Sequence, residues 1–360
     1  MEPDKEGFIQ PKINKDLCNN CGLCHKVCPV YKKIENEHNP HIFAALNNSD
    51  DIREISSSGG IFYTLAREIL SEDGIVFGVK FNEKLDVIHS YTDKESQISE
   101  FCGSKYVQSN INNSYSDAEK FLKEGKQVLF TGTPCQIAGL KSYLKKDYPN
   151  LLTQDFICHG VPTPKAWEKY KELLEKNYQS KIEKAQFRNK SLGWQKYSML
   201  IKFKSEEIYS ESVLNDAYLK GFISDIFLRN SCFNCVFKNN NFKSDITLAD
   251  FWGIDNVLPQ INDNKGVSLI IIHTEKGMQY IENIKDSIRL IKVEKEEALK
   301  SNISYYKSTP YNLMRNTAIK DLDKMPFDKV IDKYLSLRIK SKIRRKIYKI
   351  LTKFIKKERQ

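Results

Sequence analysis

Cys18, Cys21, Cys24 and Cys28 stand in one short run, DLCNNCGLCHKVCPV, with Pro29 directly after the last. The CxxCxxCxxxCP spacing is that of the bacterial ferredoxin motif. Closely spaced thiolates there wrap an iron–sulfur cubane, and the proline turns the chain away from the last ligand. A tetrahedral zinc knuckle, the other holder of such thiolates, prefers two separated CxxC pairs. No cysteine precedes Cys18, so one half of a two-cluster ferredoxin is missing from the chain. The fourth cysteine of such a run normally serves the other cluster. Either Cys28 closes its own cluster, or the closing ligand lies elsewhere, with Cys102 the spare thiol.

Cys102, Cys135, Cys158, Cys232 and Cys235 complete a set of nine. The chain starts MEPDKEGF, without the basic and apolar segments of an export signal, so the expected compartment is the cytoplasm, where thiols stay reduced. An odd count excludes full pairing, and the set points to metal or redox chemistry. Taken singly, Cys135 in TGTPCQ or Cys158 in ICHG reads as a small buried hydrophobe. Cys232 and Cys235 form a CxxC pair, CFNC, of the soft thiolates that iron–sulfur clusters select.

These residues need a scaffold. HIFAAL, GIVFGVKF and KQVLFTG read as strands, while IFYTLAREIL, SYSDAEKFLKEG and PCQIAGLKSYLKK read as helices, and the alternation predicts an α/β unit. LLTQDFICHG is a further strand ending in a loop, and PKAWEKYKELLEKNY is an amphipathic helix opened by Pro164. KAQFRN, YSMLIKF and EIYSESV continue as strands, DAYLKGFISDIFLR as a helix that delivers the chain to CFNC, and SDITLADFWG and GVSLIIIHT close the core. The expected class is α/β (α+β). A small ferredoxin-like module covers residues 1–40, a mixed α/β domain follows in two parts, 41–145 and 146–325, and a helical tail covers 326–360.

Three loops could hold a ligand. SSSGGIFYTLAREIL sets hydroxyls and two glycines at a predicted helix N-terminus, where free N–H groups and the helix dipole favour phosphate. A plain serine N-cap is the simpler reading of the same residues. TGTPCQ brings Thr131, Gly132 and Thr133 to a strand end, the usual ligand position in open α/β sheets. His159, next to Cys158, is a proton donor or an ordinary core or solvated histidine. DFWG at 250–253 reads as packing.

Six phrases, SSSGGIF, GSKYVQS, TGTPCQIAGL, ICHGVPTP, CFNCVFK and SDITLADFWG, occur in this order between about residues 50 and 275. Together they resemble the coenzyme F420 hydrogenase/dehydrogenase beta-subunit family. The resemblance implies an iron–sulfur and flavin electron-transfer enzyme, some members of which reduce the deazaflavin coenzyme. It implies a second 4Fe-4S cluster held by Cys135, Cys158, Cys232 and Cys235. It also implies a flavin, FAD or FMN, near Ser58, Gly59, Gly60, Lys105, Tyr106, Thr131, Gly132 and Thr133. Lys105 would face phosphate or the flavin's pyrimidine edge, and Tyr106 would stack; Lys105 and His159 are the catalytic candidates. Relatives with the ferredoxin module commonly carry two cysteine runs, where this chain has one.

The expected function is therefore an oxidoreductase passing electrons between a ferredoxin-like partner and an organic acceptor. The alternatives are an electron-transfer subunit of a hydrogenase/dehydrogenase-type complex and a zinc-stabilised binding protein. Net charge does not change this reading. The formal +11 is concentrated at 338–360, where eleven Lys or Arg stand against one Glu, and the rest of the chain is close to neutral. In that tail Ile339, Ile343, Ile347, Ile350, Leu351 and Phe354 recur every three or four residues, the pattern of a basic amphipathic helix. Its expected partner is an anionic membrane surface, at the inner face of the membrane, or an acidic protein; nucleic acid is not expected. VSLIIIH, the longest apolar run, is far too short to cross a bilayer.

Overall fold

The computed structural model describes residues 1–31, 40–239 and 241–335. The expected amphipathic tail from residue 338 onward lies outside these residues. The chain opens on an antiparallel hairpin of β1 (Glu2–Pro3) and β2 (Ile9–Gln10). Asp4 accepts the backbone N–H groups of Glu6 and Phe8 at 2.9 and 3.0 Å and so closes the turn. Gly7 sits at φ +87°, where a Cβ would come within 2.9 Å of Lys165 and Thr163, so only glycine lets the turn lie this close to the body. Phe8 is buried in the largest apolar cluster, and Glu6 pairs through both carboxylate oxygens with the buried Arg315.

The body is built on β3 (His41–Asn47), β4 (Ile75–Phe81), β5 (Val87–Thr92), β6 (Val128–Thr131) and β7 (Leu151–Phe156). Strands β8 (Ile182–Asn189), β9 (Ser198–Phe203) and β10 (Ile208–Ser212) form a separate three-stranded antiparallel sheet. The chain then returns with β11 (Ile246–Asp250), β12 (Ser268–Ile272) and β13 (Ile288–Lys292). The resulting eight-stranded sheet has the order β13-β3-β12-β11-β7-β6-β4-β5. Its centre, β11-β7-β6-β4, is parallel, and both flanks are antiparallel. The two parts expected at 41–145 and 146–325 share this one sheet, since β3 lies between β12 and β13.

Period-two alternation sends side chains to two covered faces. Val76, Leu129, Leu152, Ile246 and Ile270 meet the helices Ile61–Ser71 and Glu275–Asn283 on one face. On the other, Phe77 and Phe130 meet Ala118 and Leu122 of helix Ser114–Lys123 and Ile137 and Leu140 of helix Pro134–Leu144. Because β12 is buried throughout, VSLIIIH carries no alternation and reads as a continuous apolar run.

The expected helix over DAYLKGFISDIFLR stops at Ile223. Ile226, Phe227 and Leu228 are all buried, and three consecutive inward side chains do not fit one face of a helix. The chain turns at Asp225, φ +65°, and Leu228 bridges to Pro162 instead. Strands β5 and β13 lie where the sequence suggests no element.

Candidate functional site

Loops following β6, β7 and β11 converge on a cavity of about 590 Å³, at the strand C-termini where open parallel sheets bind ligands. Its wall contains Ser58, Gly60, Lys105, Tyr106, Thr131, Gly132 and Thr133, together with Cys158 and His159. Gly59 is not on the wall. Its N–H donates to Ser268 Oγ at 2.9 Å, and a Cβ there would press on the backbone of Ala45 and Ser268. Close packing against the sheet, not ligand approach, requires that glycine.

The SSSGG loop does not cap its helix with serine. Ser56, Ser57 and Ser58 engage Ile52 O, Ser104 Oγ and Val267 O at 2.7, 2.8 and 2.9 Å. Gly60, at φ +85°, is the N-cap of helix Ile61–Ser71 and has no side chain with which to cap it, and among the described residues no side chain bonds the first-turn N–H groups. That leaves backbone donors at the cavity edge, the electrostatics expected of an anion cradle. Lys190 fastens the loop by donating to Arg53 O, Ser58 O and Lys265 O at 2.6, 3.0 and 2.7 Å.

A buried chain of hydrogen bonds fixes TGTPCQ. Burial holds His89 neutral, its pKa lowered to about 4, so Nε2–H donates to Thr131 O at 3.1 Å and Nδ1 accepts from Ser109 at 3.0 Å. Gln136 Nε2 donates to the same Ser109 oxygen at 2.9 Å, and Gln136 Oε1 accepts from Thr133 N and Oγ1 at 2.9 and 3.0 Å. Thr133 Oγ1 stands 3.1 Å from Cys135 Sγ. The loop's position is thus set from β5, an element the sequence did not reveal.

Around the rest of the cavity, Lys105 Nζ donates to Cys102 O and Gly103 O at 2.9 and 3.2 Å, and burial lowers its pKa to about 8. Tyr106 stacks on Phe222 at 4.4 Å, so its ring is committed to the protein. His159 Nε2 stands 2.7 Å from Asp225 Oδ1 and its ring meets Phe222 edge-on at 5.3 Å. Cys102 lines the cavity beside Lys105, and burial pushes its thiol up to about 11.

The fold gathers Cys135, Cys158, Cys232 and Cys235 from three segments. Burial pushes the Cys158 thiol far up, and the neighbouring Cys232, Cys135 and Cys235 push it further. Cys232 is raised to about 11 by burial, with Cys135 and Cys235 adding to the shift. Cys135 is open to solvent on one side, yet the protein around the rest of it raises its thiol, and Cys235 contributes. Gly160 allows the approach: a Cβ there would lie 2.9 Å from Leu228 and 3.4 Å from Cys232 Cβ. Lys238 Nζ donates to Cys158 O and, at 2.7 Å, to Ser304 O, while Ser308 Oγ accepts Cys235 N–H at 2.9 Å.

Among the described residues, no three His, Cys, Asp or Glu side chains stand close enough to share one metal ion. A cubane takes each thiolate at a different iron, so its ligands ring a volume, whereas zinc ligands surround a point. Four thiols whose ionised forms would repel one another suit an iron–sulfur cage, whose cationic irons favour the thiolate form.

In the first run Cys18, Cys21 and Cys24 are exposed and Cys28 is half-buried. Asn20 and Gly22 at φ +57° and +69° bend the chain twice between Cys18 and Cys24, and Asn19 Oδ1 accepts Cys21 N–H at 3.2 Å. The turn Pro29–Tyr31 that follows Cys28 packs on helix Pro134–Leu144, whose first turn carries Cys135. The first cysteine run therefore leads into a turn packed on the helix that carries Cys135.

Sequence reasoning missed part of the wall. Arg188, Asp250 and Trp252 line the cavity, so DFWG is more than packing. The position of DFWG at the end of a predicted strand was the available signal. Arg188 offered none, because a register shift between Gln186 and Asn189 interrupts the alternation of β8 and re-aims its side chain.

Residues 125–298 match the family model for the C terminus of the coenzyme F420 hydrogenase/dehydrogenase beta subunit, and residues 10–33 match a 4Fe-4S binding domain. The phrases from TGTPCQIAGL to SDITLADFWG lie inside the first match; SSSGGIF and GSKYVQS precede it. No curated protein matches the chain. Similar solved structures include a chain of the F420-reducing NiFe hydrogenase complex from Methanosarcina barkeri, 16% identical, with a TM-score of 0.49 over 84% of this chain and 95% of that one. Among the described residues no helix is long and apolar enough to cross a membrane.

Proposed function

We propose, for a chain whose residues 125–298 belong to the coenzyme F420 hydrogenase/dehydrogenase beta-subunit family and whose N-terminus belongs to the 4Fe-4S domains, that it is an iron–sulfur flavoprotein oxidoreductase. It passes electrons between a ferredoxin-like partner and an organic acceptor. The observation that carries the reading is the meeting of Cys135, Cys158, Cys232 and Cys235 beside a cavity of about 590 Å³ that Cys158 itself lines. Bound clusters supply one-electron transfer, and a bound flavin, FAD or FMN, converts it to two-electron chemistry.

The chain's own residues supply the rest. Gly60 and the uncapped first turn of helix Ile61–Ser71 would meet a flavin phosphate, and the loop Thr131–Thr133, pinned by His89 and Gln136, would border the ring. Lys105, with its pKa lowered to about 8, holds a proton at the cavity wall near neutral pH and can release it to a reduced product. His159, oriented by Asp225, is the second proton-bearing group there. Cys18, Cys21, Cys24 and Cys28, mostly exposed, form the entry point, next to a turn that packs on the helix carrying Cys135.

Anaerobic purification followed by iron, sulfide, zinc and flavin analysis, with EPR of the reduced sample, tests this reading. It predicts two clusters and one flavin per chain; a colourless, zinc-containing protein would refute it. A second reading, an electron-transfer subunit with no acceptor of its own, is favoured by the family's description as a beta subunit. Stoichiometric copurifying partners and no turnover by the isolated chain would select it.

A further inference from the structure

The segment 303–313 borders the cavity and has no part in the cofactor reading. Ile303 and Ser304 line the wall. Thr309 Oγ1 donates to His159 O at 3.1 Å, and Asn312 Nδ2 donates at 2.7 Å to the carbonyl of Ser224, the residue after the wall residues Phe222 and Ile223. Tyr305, fully buried in an apolar cluster, anchors the segment from beneath.

Its other side is apolar and in water. Ile303 and Leu313 are 62% and 84% exposed, Tyr306 and Tyr311 are exposed between them, and the exposed Ile223 beside Ser224 extends this surface onto the cavity wall. One exposed aliphatic side chain is ordinary, but five large apolar or aromatic side chains gathered on one segment and its neighbour mark a docking surface.

Charge indicates what covers it. From Ala298 to Lys320 the chain has no Asp or Glu, while Lys300 and Lys307 are exposed. Interfaces between proteins are depleted in lysine. Aliphatic side chains with tyrosines and lysines around them instead suit the headgroup layer of an anionic bilayer, where the aliphatic groups insert, tyrosine rings sit at the boundary and lysines meet the lipid charge. The basic amphipathic sequence at 338–360 follows closely. Residues 327–335 are helical, and a Cβ on Gly221, two residues before Ile223, would lie 2.9 Å from their Ile331. The chain thus enters its most basic stretch just after packing on the helix that carries Ile223.

The cavity wall restricts the acceptor in the same direction. Its Lys, Arg, His, Asp and Glu side chains are Lys105, His159, Arg188 and Asp250. Lys105 donates to two carbonyls, His159 stands against Asp225, and Arg188 pairs with Asp250, so every cation is already engaged.

We propose that segment 303–313 seats this chain on an anionic lipid surface, and that the acceptor is an uncharged, apolar molecule taken from that lipid into the cavity. This rests on the oxidoreductase reading above and adds the source and chemical class of the acceptor.

The test sediments full-length protein, purified anaerobically with its cofactors, with vesicles of phosphatidylcholine alone and of phosphatidylcholine mixed with phosphatidylglycerol. Wild type is expected to bind the anionic vesicles about tenfold more tightly. Leu313→Asp and Lys307→Glu, at exposed positions off the cavity wall, should each weaken that binding about tenfold with iron and flavin contents unchanged. Equal binding to both vesicles, wild-type binding by Leu313→Asp, or a copurifying protein that covers segment 303–313 would overturn the docking surface. For the acceptor, calorimetric titration of oxidised protein at neutral pH should show 1-naphthol binding about tenfold more tightly than the anionic 1-naphthoate. Equal or reversed affinities would overturn the apolar class. Vesicle binding that needs Leu313 and Lys307 in a protein found to lack flavin would sink the oxidoreductase reading and leave the lipid surface standing.

Discussion

The two cysteine sets are brought together by opposite means. Cys18 to Cys28 lie on eleven consecutive residues, are mostly exposed, and owe their bends to local features, Asn20 and Gly22. Cys135, Cys158, Cys232 and Cys235 span a hundred residues and meet only because β6, β7 and the turn at Asn230–Asn234 are packed together. A contiguous motif can form its site with little help, whereas a dispersed one is a consequence of folding and in turn supports it. The helix Pro134–Leu144 joins the two, with Pro29–Tyr31 against it and Cys135 in its first turn.

Substituting one cysteine from each set is the largest test of that contrast. Cys158→Ser and Cys18→Ser should each remove about half of the iron and sulfide. Only Cys158→Ser should also lower the melting temperature, by ~5 °C or more, since the cluster proposed there would tie three segments together. Equal thermal shifts would erase the distinction.

The hairpin's anchor comes next. Glu6→Ala leaves Arg315, 1% exposed, without its charge partner. Breaking such a pair costs about 3 kcal/mol, the low end of its range because Glu6 keeps a third of its side chain in water. Urea unfolding should show this loss while the iron of the Cys158 set is retained; a change under ~1 kcal/mol would mean that the hairpin is held by Phe8 packing instead.

His89 gives the body a pH dependence of its own. Its folded pKa is lowered from 6.5 to about 4 by burial, so between those values the unfolded state binds more protons. Stability is fully present above about pH 6.5 and falls as the pH drops toward 4, by about 3 kcal/mol for this group. Denaturation at pH 7.5 and 4.5 should show that slope in wild type and a shallower one in His89→Gln. The smallest effect is expected for Ser308→Ala, which frees Cys235 N–H at a cost of about 1 kcal/mol without loss of iron.

Much of the sheet was legible because its strands and helices follow their own periods. GIVFGVKF, KQVLFTG and the helix from Pro134 occupy the places their patterns predict. DAYLKGFISDIFLR misled because its apolar residues read as a helix face, while burial of Ile226 to Leu228 beneath the core pulled the second half out of the helix. The cavity was legible loop by loop through TGTPCQ and GSKYVQS. Gly59 was misread, since a glycine required for backbone contact with Ala45 looks the same in sequence as one required for a phosphate.

The sequence by itself determined the first cysteine motif, the strand–helix alternation and the place of a uniformly basic tail, because spacing and periodicity are properties of neighbouring residues. Tertiary structure alone decided that Cys135 and Cys158 meet the CFNC pair, that His89 steers the loop carrying Thr133, and that Arg188 pairs with Asp250 beside Trp252. Each of those outcomes depends on strand order and on a shifted register in β8, which bring together residues far apart in the chain.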